Sequence, residues 1–175
     1  ASIGGTIATD ASGASSYRYG STRKWISGLT VILPGGKTLE LSRGDWVFQG
    51  RELEHPVLGT LVLPELTRPQ PVKNAAGLYL RNDMDLIDLF IGSEGELGLV
   101  TRAKVILAKK PHAIATFAIF CQEEQFWALR QELMGMELPV RELEAMLPPC
   151  LDFLGRNTET PAFPDGEWVL ITSIE

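Results

Sequence analysis

The sequence predicts an α+β protein: a mainly antiparallel sheet with flanking helices, followed by part of a second α/β unit. Three observations carry that prediction. Two short apolar runs, residues 29–33 and 38–41, flank Pro34-Gly35-Gly36-Lys37, the pattern of a β-hairpin. Residues 99–108 are rich in β-branched side chains, with Arg102 and Lys104 on one side and Thr101, Ala103 and Val105 on the other. They read as a strand sharing the hairpin's apolar face. After Lys109-Lys110-Pro111-His112 the composition shifts, and a strand, two helical stretches and a further strand follow. A domain boundary is therefore expected at residue 111, dividing 1–111 from 112–175.

Composition narrows the function classes. The 175 residues are 45% apolar and 22% charged, with 17 Gly and 11 Pro, which suits a loop-rich globular protein. Net charge is −6 and no run of Lys or Arg stands out, so nucleic acid is not an expected partner. No apolar stretch reaches the length of a membrane span, and no signal peptide is visible. Cys121 and Cys150 lack metal-ligand spacing and are expected as buried free thiols, with no metal site. A reducing cytoplasm is the expected compartment. The chain opens at Ala1 without Met and closes within the apparent strand 168–175, so it is expected to be cut at both ends.

Taken in order, residues 4–20 are nearly all small or polar and cannot bury much apolar area. Either they lie against a ligand, bringing backbone N–H and hydroxyl groups close to it, or they form a flexible terminus. Arg18 between Tyr17 and Tyr19 favours the first reading. Gly4-Gly5-Thr6-Ile7-Ala8 resembles the nucleophile segment of asparaginases, but their second, Gly-Thr-Asp-Thr-like segment is missing. Pro34-Gly35-Gly36-Lys37-Thr38 imitates a P-loop, yet the earlier glycine would fall at Val31 and no helix follows.

From 42 to 80 the pattern weakens at Pro56, Pro64, Pro69 and Pro71; most of it reads as loop, with residues 58–63 a short strand and His55 a solvated loop residue. Residues 84–91 carry Met84, Ile87 and Phe90 or Ile91 at helical spacing behind Asn82 or Asp83 as N-cap. Gly92, Gly95 and Gly98 then join this helix to the strand at 99. A dinucleotide fingerprint needs the opposite polarity, strand to helix, so a Rossmann reading fails; an ordinary Gly-terminated helix with a tight turn accounts for the spacing equally well. Beyond the boundary, 114–120 reads as a strand and 123–136 as a helix with Phe126, Leu129 and Leu133 on one face. Residues 141–146 and 149–154 read as a Pro-broken helical pair, and 167–174 as a strand. Phe126, Trp127, Phe153 and Trp168 are expected in the core.

Three stretches in register carry a family resemblance: residues 4–13 with Arg18-Tyr19-Gly20; Lys73-Asn74 with Gly77; and Phe90-Ile91-Gly92-Ser93-Glu94-Gly95 with residues 97–101. Together they resemble the FAD-linked oxidases and dehydrogenases of the vanillyl-alcohol-oxidase (p-cresol methylhydroxylase) type, nearest the D-lactate and glycolate dehydrogenase branch. The resemblance implies that residues 1–111 are the second of two FAD-binding subdomains and that 112–175 begin the substrate, or cap, domain. The first subdomain, with the pyrophosphate loop, would precede Ala1. Gly4, Gly5, Thr6, Thr9, Asp10 and Gly13 would then line the flavin and phosphate region. Gly95, Gly98, Leu99 and Val100 would offer backbone groups to the cofactor. Glu96 stands where the family commonly has Thr, Asp10 where it often has Asn, and the Tyr after Asn-x-x-Gly is displaced to Tyr79.

The implied function is part of an FAD-dependent oxidoreductase that oxidises a D-lactate- or glycolate-like 2-hydroxy acid, or a related alcohol, by hydride transfer to flavin. The chain alone would be inactive. A non-catalytic domain that keeps the fold is the alternative. No general base can be assigned, because Asp10, Glu94 and His55 show no partner in sequence. The family's metal and substrate residues would fall beyond Glu175. Peripheral membrane association of the full enzyme and its oligomeric state stay open.

Overall fold

The computed structural model describes residues 2–65, 76–157 and 167–175. Its elements, in chain order, are α1 (Ile3–Ala8), α2 (Ser16–Tyr19), a 3-10 turn (Thr22–Trp25), β1 (Ile26–Ile32), β2 (Thr38–Ser42), β3 (Glu52–His55), β4 (Gly59–Val62) and α3 (Ile87–Phe90). They continue with β5 (Leu99–Val105), β6 (Ala115–Cys121), α4 (Glu123–Gly135), β7 (Val140–Met146), α5 (Pro148–Asn157) and β8 (Trp168–Ile174). Two compact units result: Ala1–Ser12 with Ser21–Ala108, and Gly13–Gly20 with Lys109–Glu175.

In the first unit the hairpin and the strand at 99 share one antiparallel sheet, ordered β2-β1-β5. Leu29 faces Leu41 and Val31 faces Leu39 across β1 and β2, and all four are buried. Directly opposed apolar pairs of this kind fix the register, because a one-residue slip would turn all of them to solvent. Gly35 and Gly36 close the hairpin at φ 93° and 85°, a conformation that two side-chain-bearing residues would resist. Ile7, Phe48, Leu86, Ile87, Phe90 and Ile91 complete the core beneath the sheet.

Several expectations need correction here. Residues 4–20 are not without structure. Ser2 caps α1 by accepting from the Gly5 amide at 3.1 Å, and burial of Ile7 offsets the poor helix propensity of two glycines. The helix expected over 84–91 shrinks to one turn, Ile87–Phe90. Asp83 is left-handed (φ 56°), and the backbone of 84–86 instead pairs with 46–48 through Phe48 N to Met84 O and Leu86 N to Trp46 O. Met84, Ile87 and Ile91 are buried as their spacing implied, but of the three only Ile87 lies in the helix.

The stretch from 42 also holds more than one strand: β3 pairs with β4 as a second hairpin, with Leu53 and His55 turned inward. His55 is thus buried rather than solvated. Its Nδ1 accepts from the Val57 and Leu58 amides at 3.1 and 3.3 Å, and its ring meets Trp46 edge-on at 4.3 Å. Pro69, Pro71, Lys73 and Asn74 lie outside the described residues.

The second unit holds an antiparallel sheet ordered β6-β8-β7, with α4 packed on it through Phe126 and Leu170. The helical pair expected at 141–146 and 149–154 is a strand and a helix. Residues 140–146 pair along β8, and Pro148 opens α5. Phe126 is buried and stacks on Trp168 at 5.0 Å, whereas Trp127 and Phe153 are exposed. Cys121 is buried and burial raises its thiol pKa, but Cys150 is exposed. The segment Gly13–Gly20 is held on this unit by Arg141 Nε to Ser15 Oγ at 2.9 Å, Arg18 Nε to Glu175 at 3.1 Å and the Tyr19 hydroxyl donating to Glu175.

Burial lowers the His55 pKa from its ordinary 6.5. In acid the folded chain therefore binds fewer protons at this site than the unfolded chain. The stability that neutral His55 contributes is full above about 6.5 and is lost as the pH falls through that value toward the depressed one. Urea midpoints are expected to drop between about pH 7 and about pH 5, with a shallower drop in His55→Asn, which keeps an acceptor for the two amides but cannot titrate. Equal slopes for both proteins would contradict this account.

Candidate functional site

Residues 7–10 of the first motif stretch, Gly77 of the second and residues 92–96 of the third lie in the first unit. α1 ends at Ala8, and its last carbonyls receive the chain that follows α3: Gly92 N donates to Ile7 O and Glu94 N to Ala8 O, both at 2.9 Å. Residues 92–96 then turn beside Gly77 and Leu78, enclosing a cavity of about 170 Å³ lined by Gly77, Leu78, Gly92, Ser93, Glu94 and Glu96. Gly77, Gly92 and Gly95 all have positive φ, at 67°, 80° and 86°. A Cβ at Gly77 or Gly95 would meet nothing within 4 Å, so these two face open space. At Gly92 a Cβ would come within 3.0 Å of Asp10 Cβ and 3.3 Å of Arg23 Nη2, so this glycine lets the two stretches touch.

A charged cluster holds the junction. Asp10, itself left-handed at φ 45°, accepts from the Arg23 backbone N at 2.9 Å and from Arg23 Nε at 3.1 Å. The same guanidinium donates to the Asp88 carbonyl and carboxylate and to the Ile91 carbonyl, and it lies 4.0 Å from the Tyr79 ring centre. Asp88 is bound in turn by Arg43 at 2.9 and 3.1 Å, and this bond raises the Arg43 pKa above its ordinary value. Sequence reasoning missed Arg23, Arg43 and Asp88. The available signal was Asp88, a single acid inside the apolar run Leu86-Ile87-Asp88-Leu89-Phe90, which demands a cationic partner if buried.

The residues implied by the resemblance divide into groups. Gly4 and Gly5 sit on the exposed face of α1, and the Thr6 and Thr9 hydroxyls donate back to Ile3 O and Gly5 O. Asp10 is gathered at the junction, and Gly95 adjoins the cavity. Gly13 belongs to the second unit and faces open space. Gly98, Leu99 and Val100 enter β5 opposite Ile32 and Val31. Leu99 is exposed, and Val100 packs partly on the core. A Cβ at Gly98 would strike Val31 Cγ1 at 2.7 Å and Ile32 O at 2.8 Å, so this glycine is required by the sheet itself.

The cavity has room for only a part of a cofactor such as FAD. Its glycine walls admit close approach, but it is smaller than the roughly 300 Å³ at which pockets for whole small molecules begin. Of the three acid–base candidates, Asp10 is engaged by Arg23 and His55 is buried in the second hairpin. Glu94 alone stands exposed at the cavity. Among the described residues no group of three or more His, Cys, Asp or Glu could hold a metal ion, and no helix is long and apolar enough to cross a membrane.

Known proteins resemble this chain in sequence and in fold. A family described as FAD binding domain matches residues 1–42. A D-2-hydroxyglutarate dehydrogenase of Xanthomonas citri pv. viticola is 36% identical over 110 residues, 63% of this chain and 16% of that protein. The mitochondrial D-lactate dehydrogenase [cytochrome] 1 of Saccharomyces cerevisiae is 34% identical over 113 residues, 65% of this chain and 14% of the relative. A solved alkyldihydroxyacetonephosphate synthase superposes over 97% of this chain and 28% of its own, with a TM-score of 0.59 at 16% identity, a likeness of fold. The chain thus spans only a small share of the length of the relatives it matches.

Because Gly98 abuts β1, Gly98→Val is expected to destabilise the chain by about 1–3 kcal/mol through overpacking, with no cofactor present. A thermal melt of the apo protein checks this; an unchanged midpoint would return Gly98 to a purely ligand-facing role.

Proposed function

We propose that this chain, which belongs to the FAD-linked oxidase and dehydrogenase family on its D-lactate and glycolate branch, supplies one wall of the FAD site in an enzyme that oxidises a 2-hydroxy acid. The observation that carries the reading is the meeting of residues 7–10 with 92–96 beside a glycine-walled cavity. On this reading the first unit is the second FAD-binding subdomain, and the second unit begins the cap that covers substrate. Bound FAD supplies the two-electron acceptor for the hydride leaving the substrate carbon. The chain's own part is to bind and orient: glycine backbone at 77 and 95 lets the cofactor approach, while Gly92 admits Asp10 and Arg23. Glu94 and Glu96 offer acceptors to its hydroxyl or amino groups, and they repel its diphosphate.

The names of the two relatives point to D-2-hydroxyglutarate or D-lactate as substrate types. The diphosphate grip belongs to the first subdomain that the family resemblance implies. Affinity is the surplus left after ordering and desolvation, so one wall alone holds FAD weakly.

Purified 175-residue chain is therefore expected to be colourless and without 2-hydroxy-acid dehydrogenase activity at micromolar FAD. At millimolar FAD, amide NMR shifts are expected at residues 92–96 and at Asp10. Supplying a diphosphate-binding first subdomain, in cis or in trans, is expected to restore flavin absorbance. Tight stoichiometric FAD in the chain alone would overturn the two-walled account, and a millimolar titration that leaves residues 92–96 unmoved would overturn the cofactor assignment.

A further inference from the structure

We infer that Arg23 is the positioning residue of this cofactor wall: its guanidinium locks the Asp10 turn against the Ile91–Gly92 corner and so preforms the cavity. The inference rests on the function proposed above for its consequence, but on geometry alone for its cause. Every edge of the Arg23 fork is committed. Nε faces Asp10 at 3.1 Å, Nη1 faces Asp88, Nη2 faces the Ile91 carbonyl, and the flat side lies over Tyr79 at 4.0 Å. Its side chain is only 12% exposed. A lysine ammonium has no planar fork, so it cannot meet these partners in the same geometry or stack as a plane.

The corner needs such a hold. Asp10 at φ 45° and Glu94 at φ 51° are non-glycine residues in the left-handed region, a conformation that persists only where the surroundings impose it. Asp10 is imposed upon directly by Arg23. Glu94 is tied by its amide to Ala8, two residues before Asp10. Gly92, between them in space, has no Cβ because Asp10 and Arg23 occupy that position. Nothing in the fold of the sheet requires this arrangement: β1, β2 and β5 are held by their own ladders.

Arg43 provides the internal control. It binds the Asp88 carboxylate, the Ile26 carbonyl and the Arg23 carbonyl, so it shares the network and its contribution to stability. It makes none of these bonds to Asp10, Ile91 or Gly92. A purely structural network treats the two arginines alike; a positioning role does not.

The test compares Arg23→Lys with Arg43→Lys in the 175-residue chain. Amide hydrogen exchange at Gly92 and Glu94 is read relative to the core amides of β1, and millimolar FAD titrations are followed by NMR. In Arg23→Lys, relative protection at the two amides is expected to fall at least tenfold and FAD affinity to weaken at least tenfold. In Arg43→Lys both are expected to change by less than about twofold after normalisation to core protection. Should Arg23→Lys fail to fold, Asp10→Asn, which keeps one acceptor, is expected to shift both readouts in the same direction by a smaller factor. Equal effects of the two lysine variants, or an Asp10→Asn that moves neither readout, would overturn the inference. A wild-type chain that shows the exchange difference but no FAD response would leave Arg23 as the positioning residue and overturn the FAD reading instead.

Discussion

Two arginines and two aspartates with little exposure do most to hold the first unit's irregular chain. Arg23, Asp10 and Asp88 have side chains 12%, 17% and 12% exposed, and Arg43 33%. Removing four charges from water is unfavourable, and a buried pair by itself is weak support for stability. Here further guanidinium donors are matched by the carbonyls of Ile26, Asp88 and Ile91, which is the condition under which such a network holds. Taking away one member leaves its partner charged and dry, at a cost of about 3–5 kcal/mol. The network therefore acts as a registry device: it is satisfied only when residues 10, 23, 43 and 88–91 arrive together.

That constraint changes what the glycines mean. Read as a motif, Gly92, Gly95 and Gly98 look like three equivalent places where a ligand lies on bare backbone. In the fold they have three different neighbours. Gly98 gives way to Val31 and Ile32, Gly92 gives way to Asp10 and Arg23, and only Gly95 faces open space. The ligand-facing surface is thus smaller than the motif, and it exists because the other two glycines let protein approach protein. Internal packing and cofactor binding select the same residue type for one physical reason, the absence of Cβ.

How far the fold could be read from sequence follows the range of the interactions. The hairpin at 34–37, the start of β5 at 99, and α4 with Phe126 inward rest on local patterns, and all are present. The α+β class followed from these. Residues 141–146 failed because Arg141, Glu142, Leu143 and Glu144 suit a helix locally, while pairing with β8 on its open side decides the outcome. α1 failed for the opposite reason: its glycines disfavour a helix, and only Ile7 and the incoming Gly92 and Glu94 amides make one. His55 was misplaced because Pro56 was taken to mark a loop, although Leu53 and His55 alternate inward. At the site, residues 7–10 meet residues 92–96 through backbone bonds and the Asp10–Arg23 contact. The arginines that fasten them are separated from their partners by 13, 65 and 68 residues for Arg23 and by 45 for Arg43, and no local pattern encodes that.

The charge of the cavity bears on how a dinucleotide could lie there. Glu94 and Glu96 are exposed and line it, and among the described residues no arginine or lysine does. Two like charges 4 Å apart repel by about 1 kcal/mol in water and about 4 kcal/mol near a partly buried surface. A diphosphate beside these carboxylates would be disfavoured by that repulsion, weakened by solvent because both side chains are exposed. Hydroxyl and amino groups reverse the sign, since each can donate to a carboxylate. On the proposed reading the acidic residue at position 96, where the family resemblance implies threonine, favours one orientation of FAD: its ribose, ribityl or ring-edge donors would lie on this wall, with the diphosphate turned away from it.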